Sequence, residues 1–371
     1  MRIGCPTEIK AREYRVGITP ESAGELIHAG HEVFIQAGAG LGIGADDEQY
    51  RRIGATILPD AAAVFEAVEM VVKVKEPQAG EIAMLRPDQT LFTYLHLAPD
   101  PEQAEALMAS GATAIAYETV TDRNGALPLL RPMSEVAGRM SVQVGASLLE
   151  KTHGGRGILL GGVPGVPAAN VVILGGGVSG YNAAQIAVGM RARVTVFDKR
   201  LEPLELLDRE FEGRLQTMYS TRASVERAIA DADLVIGAVL VPGAAAPKVV
   251  TREMVKKMAP GSVMVDIAID QGGCFETSRP TSHDAPTYEV DGVIHYCVTN
   301  MPGAVARTSA FALNNVTLPF ALAMANKGVR QALNDDPHLA EGLNVAEGAI
   351  AHPAVAHDLG KPLVRPAWLK G

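Results

Sequence analysis

Gly175, Gly177 and Gly180 sit in the run Val171-Val172-Ile173-Leu174-Gly175-Gly176-Gly177-Val178-Ser179-Gly180, at a spacing that can cradle a pyrophosphate. Gly175 lets the chain turn sharply after a buried strand. Gly177 lets backbone come close to phosphate, and Gly180 lets the following helix lie on the sheet. The N-terminus of that helix offers unpaired N–H groups to the anion. Asp198 closes a second strand, Val194 to Phe197, and lies 18 residues past Gly180. That is near the ~20 expected for the acid that holds the adenosine ribose hydroxyls. Three spaced glycines alone can be a bare turn. Strand, helix and spaced acid together point to a dinucleotide.

A second set of residues lies in the first third of the chain. In open α/β sheets, ligands collect beyond the carboxyl ends of strands. Arg15 follows the strand-like Arg2–Cys5, Lys75 follows Met70–Val74, and His96 follows Thr90–Tyr94. A single surface Lys or Arg is usually only solvated. Such residues after three strands of one domain suggest a pocket.

The elements that must position these groups alternate. Residues 1 to about 125 carry strand candidates Arg2–Cys5, Glu32–Gln36, Met70–Val74, Thr90–Tyr94 and Thr113–Tyr117. Between them the pattern is helical at Glu21–Ala29, Glu48–Ile53, Ala61–Ala67, Glu81–Leu85 and Glu102–Ser110. This reads as a doubly wound α/β domain with a largely parallel sheet. The glycine-rich segment Gly38 to Gly44 reads as a loop. A long helix is expected over Arg131–Lys151, with Pro132 and Ser134 at its start. Beyond Asp198, a helix is expected at Leu204–Glu212, with strands at Leu215–Tyr219, Leu234–Gly237, Ser262–Ile267 and Ile294–Val298. With the first two strands these make the six of a Rossmann domain. Their ends carry Ser220, Val239-Leu240, Ile267 to Asp270 and Val298 to Met301. From Ala304 to about Asn326 the pattern is helical again, with Pro319 expected to kink it. The fold class is therefore α/β, with two doubly wound domains linked by long helices. The Rossmann domain, 131–305, is inserted into a discontinuous domain made of 1–130 and 306–371.

Composition narrows the function. Hydrophobic content of 47% and charged content of 20% describe an ordinary globular chain with ample core. A net charge of −9 argues against nucleic acid as a partner. Cys5, Cys274 and Cys297 form no C-x-x-C pair, which suits a reducing compartment and no thiolate metal site. His352 and His357 stand five apart across Pro353, a poor spacing for a metal. No apolar run approaches the ~18 residues of a membrane span, and Met1-Arg2-Ile3-Gly4-Cys5-Pro6 has no apolar signal region. The expectation is a cytoplasmic protein with no metal.

The chain resembles the alanine dehydrogenases over essentially its whole length. The motifs are Gly4-Cys5-Pro6-Thr7-Glu8-Ile9-Lys10 with Glu13-x-Arg15-Val16, then Val74-Lys75-Glu76-Pro77 and Leu95-His96-Leu97-Ala98. Pro132-Met133-Ser134-Glu135-Val136-Ala137-Gly138 and Asn300-Met301-Pro302-Gly303-Ala304-Val305 complete them. The resemblance implies two α/β domains with a cleft between them, a homohexamer, and NAD-dependent interconversion of L-alanine with pyruvate and ammonia. It assigns substrate binding to Arg15 and Lys75 and catalysis to His96 and Asp270. Cofactor contacts fall on Ser134, Gly175, Gly177, Val178, Gly180, Asp198, Ser220, Val239, Leu240, Ile267, Ala268, Arg279, Val298, Asn300 and Met301. The chemistry suits these types. Hydride leaves Cα of the amino acid, giving an imine that water attacks. Arg15 can grip a carboxylate in bidentate fashion, and Lys75 can stabilise developing negative charge. His96 can pass protons near neutrality, and Asp270 can orient water or stabilise the iminium.

The sequence departs from the family pattern in places. Ala11 and Arg12 stand where Asn is usual, Arg191 replaces a usual Gly, and Pro203 holds a position that is often basic near the ribose. Lys199 or Arg200 is then the alternative contact. Ala323 and Lys327 offer no metal ligands. Rival readings are the NAD-binding subunit of a transhydrogenase, another amino-acid or opine dehydrogenase, and a non-catalytic NAD sensor. Arg15, Lys75, His96 and Asp270 with Ser134-Glu135-Val136-Ala137-Gly138 disfavour the first, and His96 and Asp270 disfavour the last, since a pure binder does not need them.

Overall fold

The computed structural model describes residues 1–239 and 246–370. They form two compact units, 1–133 with 305–370, and 134–239 with 246–304.

The first unit opens with strands β1 (Arg2–Cys5), β2 (Glu32–Gln36), β3 (Thr56–Leu58), β4 (Met70–Val72), β5 (Thr90–Thr93) and β6 (Thr113–Ala116). They pair in parallel in the order β3-β2-β1-β4-β5-β6, the doubly wound order. The central strands are apolar because helices cover both faces of such a sheet, and β4 and β5 are buried at every position. The helices start where side chains can cap them. Thr19 caps Pro20–His28, Asp60 caps Ala61–Ala67 and Asp100 caps Pro101–Ser110, each accepting from a first-turn N–H.

Strands β4 and β5 end earlier than the apolar runs Met70–Val74 and Thr90–Tyr94. The N–H of Val74 is donated to the Glu8 carboxylate at 2.7 Å, and that of Leu95 to Glu118. Ladder bonds still run past these ends, from the Lys73 N–H to Phe92 and from the Tyr94 N–H to Val74, and the carboxylates take the N–H groups that the ladder leaves over. β3 is an additional strand that three residues are too few to mark by alternation in the sequence. Gly38 to Gly44 contains a 3-10 turn, Leu41–Ile43, rather than only loop. Its glycines serve backbone packing, since a Cβ on Gly42 would lie 2.2 Å from the Tyr14 carbonyl oxygen.

The second unit holds β7 (Asn170–Leu174), β8 (Arg193–Asp198), β9 (Gln216–Tyr219), β10 (Leu234–Gly237), β11 (Val263–Asp266), β12 (Thr287–Val290) and β13 (Val293–Tyr296). Their order is β12-β13-β11-β10-β7-β8-β9. Six strands are parallel in the Rossmann arrangement. The seventh, β12, corrects the six-strand expectation: it folds back antiparallel on β13 through a tight turn at Asp291 and Gly292. The helix Arg131–Leu148 is shorter than expected, and a 3-10 turn, Lys151–His153, follows it. Within this unit Gly138 lets that helix approach the cradle helix, because a Cβ there would lie 2.2 Å from the Ser179 carbonyl oxygen.

The chain then returns to the first unit. Helix Ala306–Lys327 runs through Pro319 without interruption. Proline has no N–H to give the Asn315 carbonyl, and its ring crowds that carbonyl, which is the local cause of the expected kink. Strands β14 (Leu343–Ala346) and β15 (Ala349–Ile350) extend the first sheet antiparallel beyond β6, giving it eight strands.

Candidate active site

In the first sheet the strand order reverses between β1 and β4, the place where open α/β sheets leave a crevice at their carboxyl edge. Arg15 and Lys75 follow the two strands that flank this point, and His96 follows the adjacent β5.

Each is held by carboxylates that the sequence reading did not single out. Arg15 is buried and donates Nε to Glu13 at 2.6 Å and Nη2 to the other oxygen of the same carboxylate. Its Nη1 reaches the Met133 sulfur at 3.0 Å. The bidentate grip expected for substrate is thus already made, along this edge, with Glu13. Burial would lower the Arg15 pKa, but Glu13 raises it, so the guanidinium is a fixed cation. Lys75 is half-buried, and its backbone is pinned at both ends. Its N–H donates to Glu8 at 3.3 Å and its carbonyl accepts from Thr93 Oγ1 at 3.0 Å. Beneath it the fully buried Lys73 ammonium lies 2.7 Å from Glu81 and 3.2 Å from Glu8.

His96 occupies the left-handed region, at φ +49°, uncommon for a residue with a side chain. Its N–H donates to Glu118 at 2.6 Å, alongside that of Leu95. The ring stacks on Tyr94 at 5.7 Å and keeps 43% of its side chain exposed. Nδ1 lies 3.7 Å from Glu76 Oε2, while the other Glu76 oxygen is paired with Lys10. Burial draws the His96 pKa down, yet Glu76 and Glu118 outweigh it and raise the pKa overall. Burial acts against the charge of Glu76 too, but His96, Lys75 and Lys10 bring its pKa below the usual carboxylate range.

In the second unit the reversal lies between β7 and β10. Gly175 turns there at φ +102°, and a Cβ on it would lie 2.5 Å from the Ala238 carbonyl oxygen. A Cβ on Gly180 would fall 1.8 Å from the Gly175 carbonyl oxygen, so the helix Val178–Gly189 can start here only without one. Gly177 differs. It is the N-cap of that helix at φ −71°, no described side chain caps it, and a Cβ would meet nothing within 4 Å. Protein packing does not require glycine at this position; a phosphate against the open N–H groups would. The residues present therefore fit a dinucleotide. Asp198 ends β8, its Oδ2 accepting from the Gly176 N–H and its Oδ1 from the Arg200 N–H, both at 2.8 Å.

Around this cradle Ser220, Val239, Ile267 and Ala268 are half-buried at or just beyond strand ends. Ser134 lies in the first turn of Arg131–Leu148, and Val178 is the first residue of the cradle helix. Val298 and Met301 are buried, and the Asn300 carbonyl accepts from His283. Arg279 lays its guanidinium 4.0 Å over the Tyr288 ring. Leu240 falls outside the described residues. Asp270 is exposed on the 3-10 turn Ile267–Gln271. Asp266 anchors this turn, accepting from the N–H groups of Ala268 and Cys274 and from the Ser278 hydroxyl.

The three cysteines are free and buried. Burial above all pushes the thiol pKa of each up, that of Cys5 to about 12; a buried neutral thiol is inert. Among the described residues, no group of three His, Cys, Asp or Glu is placed to hold a metal, and no helix is long and apolar enough to cross a membrane.

The missed carboxylates left partial signals. Glu8, Glu13 and Glu76 belong to the motifs that carry Arg15 and Lys75, and Lys73 interrupts an otherwise apolar strand.

Comparison with known proteins matches nearly the whole chain. Residues 4–137 fit the family model "Alanine dehydrogenase/PNT, N-terminal domain" and residues 141–353 fit "Alanine dehydrogenase/PNT, C-terminal domain". An alanine dehydrogenase of Halomonas elongata is 57% identical over 371 residues, covering 100% of both chains. A solved L-alanine dehydrogenase superposes with a TM-score of 0.95 at 54% identity, covering 97% of this chain and 99% of the other. A transhydrogenase from Sinorhizobium meliloti superposes at 0.81 with 27% identity, covering 95% of this chain and 100% of its own. With both family models matched in succession and the fold shared with these relatives, the chain belongs to the alanine dehydrogenase/PNT family.

Proposed function

We infer that the chain catalyses reversible oxidative deamination of L-alanine to pyruvate and ammonia, with NAD as the nicotinamide cofactor. The full-length match at 57% identity to an alanine dehydrogenase carries the reading. The transhydrogenase alternative rests on a far more distant likeness, 27% identity. The site residues then divide the work. When bound, the nicotinamide supplies the acceptor for the hydride that leaves Cα. Lys75, with its backbone pinned by Glu8 and Thr93, meets the substrate carboxylate or carbonyl oxygen and stabilises negative charge there. Arg15 contributes a fixed positive charge to that side of the pocket. His96 takes a proton from the water that adds to the imine and returns one to the departing amine. Asp270 orients that water or stabilises the iminium.

The preference for NAD over NADP rests on Asp198, whose carboxylate holds ribose hydroxyls and repels a 2′-phosphate. Arg200 Nε, 3.6 Å from Asp198 Oδ1, moderates that repulsion. Ser134, Ser220, Val239, Leu240, Ile267, Ala268, Arg279, Val298, Asn300 and Met301 complete the cofactor site. A homo-oligomer, a hexamer by family resemblance, is the expected assembly. The apolar runs Leu313–Ala325 and Gly155–Val166 offer more apolar surface than one pocket needs, but Leu313, Ala321 and Met324 of the first run are spent in the core of the first unit. Leu159, Val163 and Val166, exposed at 67%, 53% and 59%, remain as surface that a second copy would cover. The cytoplasm is the expected compartment, consistent with three free cysteines.

The deciding experiment is NADH and NADPH formation across a panel of L-amino acids, beside sedimentation at micromolar concentration. L-Alanine with NAD should give the highest catalytic efficiency. Preference for another amino acid, or equal efficiency with NADP, would overturn the corresponding assignment; a monomer mass would remove the oligomer.

A further inference from the structure

We propose that Glu76 is a positioning residue for His96, taking the Nδ1 proton of the imidazole and leaving Nε2 as the nitrogen that exchanges protons with substrate and water. The proposal rests on the reading above, in which His96 carries the proton.

The geometry is that of a ring held from three sides. Glu118 fixes the backbone by accepting the His96 N–H at 2.6 Å, in a left-handed conformation at φ +49°. Tyr94 fixes the ring plane, stacked at 26°. Glu76 stands at the Nδ1 edge. Its Oε2 is buried and, among the described residues, accepts no hydrogen bond. A buried carboxylate oxygen without a donor is costly. His96 Nδ1, 3.7 Å away, is the titratable nitrogen positioned to relieve that cost. At this distance the bond is not yet made; a small rotation of the half-exposed ring makes it. Lys10 holds the other Glu76 oxygen and so keeps the carboxylate from turning away.

The charges around the pair agree with this role. His96 is faced by Glu76, Glu118, Lys75 and the Tyr94 ring, and Glu76 by Lys10, Lys75 and His96. The two carboxylates favour the imidazolium, and Lys75 opposes it. Glu76 thus sets both which nitrogen carries the proton and how readily the ring gains a second one.

The test compares full-length wild type with Glu76→Gln, Glu76→Leu and His96→Asn. Readouts are pH profiles of L-alanine oxidation, NADH binding by fluorescence, and 15N NMR of the His96 ring. Gln keeps an acceptor but loses the charge, so the acidic limb of the wild-type profile should move to lower pH while kcat falls modestly. Leu removes the acceptor as well, and kcat should fall by about tenfold or more with little change in KM. NADH affinity should stay at the wild-type value in both. Wild-type kcat and an unmoved acidic limb in Glu76→Gln would overturn the proposal, provided His96→Asn is inactive. Wild-type turnover by His96→Asn would instead sink the underlying assignment of His96. If the Glu76 variants do not fold, NMR of the wild type decides. A neutral ring protonated at Nδ1 supports the proposal, and one protonated at Nε2 overturns it.

Discussion

The Glu13 carboxylate closes on the Arg15 guanidinium through both of its oxygens, with Nε at 2.6 Å and both side chains buried. Removing the guanidinium takes the cation away from a buried carboxylate, at a cost of roughly 3–5 kcal/mol. Arg15→Ala should therefore lower the melting temperature as well as the affinity for pyruvate. The double variant Glu13→Gln/Arg15→Met should recover much of the stability and none of the substrate binding. Thermal unfolding of the three proteins checks this. An Arg15→Ala protein that melts with the wild type would show that the pair contributes nothing to the fold.

Lys73 poses a related question with a pH signature. Burial would lower its pKa, but Glu8 and Glu81 raise it above the ordinary 10.5. Its contribution to stability is therefore complete across the neutral range and is lost only as pH rises through the folded value. Lys73→Met should remove roughly 3–5 kcal/mol near neutrality. In that variant Glu8, whose pKa burial already raises, loses its cation. The folded state then binds protons more tightly than the unfolded chain, so the deficit should grow as pH rises from about 5 to 8. Denaturant unfolding at those two pH values reads the difference. A pH-independent deficit would mean that Glu8 is not the charge left exposed.

Much of the fold was legible because it depends on local pattern. The runs Val171–Leu174 and Val194–Phe197 are strands, and between them Gly175 turns and Gly180 packs as their spacing implied. What stayed hidden depends on tertiary company. Glu13 and Arg15 stand two residues apart, but only the loop geometry decides that they pair with each other rather than with substrate or water. The left-handed turn at His96 has no sequence mark, since a glycine would signal it and a histidine does not. Strands β14 and β15 are short and lie far along the chain from β6, so no local alternation links them to its sheet. Lys73 could be seen as a charge in an apolar run, but its two carboxylates come from residues 65 and eight positions away.

His96 combines a strained backbone with a chemical side chain, and a substitution can separate the two. Asn tolerates the left-handed region better than other residues with a side chain. His96→Asn should therefore keep the fold and NADH binding, while losing the proton carrier. Turnover should fall by about 10²–10⁴ with the melting temperature close to the wild-type value. NADH fluorescence titration beside steady-state turnover makes the comparison. Loss of NADH binding together with activity would mark His96 as structural.

Two glycines of the cradle make the sharpest test of whether it is built for a ligand. At Gly180 a Cβ would sit 1.8 Å from the Gly175 carbonyl oxygen. Gly180→Ala must push the helix Val178–Gly189 off its strand, at a cost of roughly 1–3 kcal/mol or more. At Gly177 a Cβ meets nothing within 4 Å, and φ of −71° suits any residue. Gly177→Ala should leave stability nearly unchanged. Its methyl group would instead stand where a pyrophosphate approaches the uncapped helix N-terminus. NADH affinity should then fall by roughly tenfold or more, about 1.4 kcal/mol. Melting temperature and NADH titration on the two variants separate the cases. Gly180→Ala should be unstable whether or not NADH is present, whereas Gly177→Ala should be a stable protein that binds NADH poorly. A Gly177→Ala protein that binds NADH as the wild type does would place the pyrophosphate away from this turn, even with the fold unchanged.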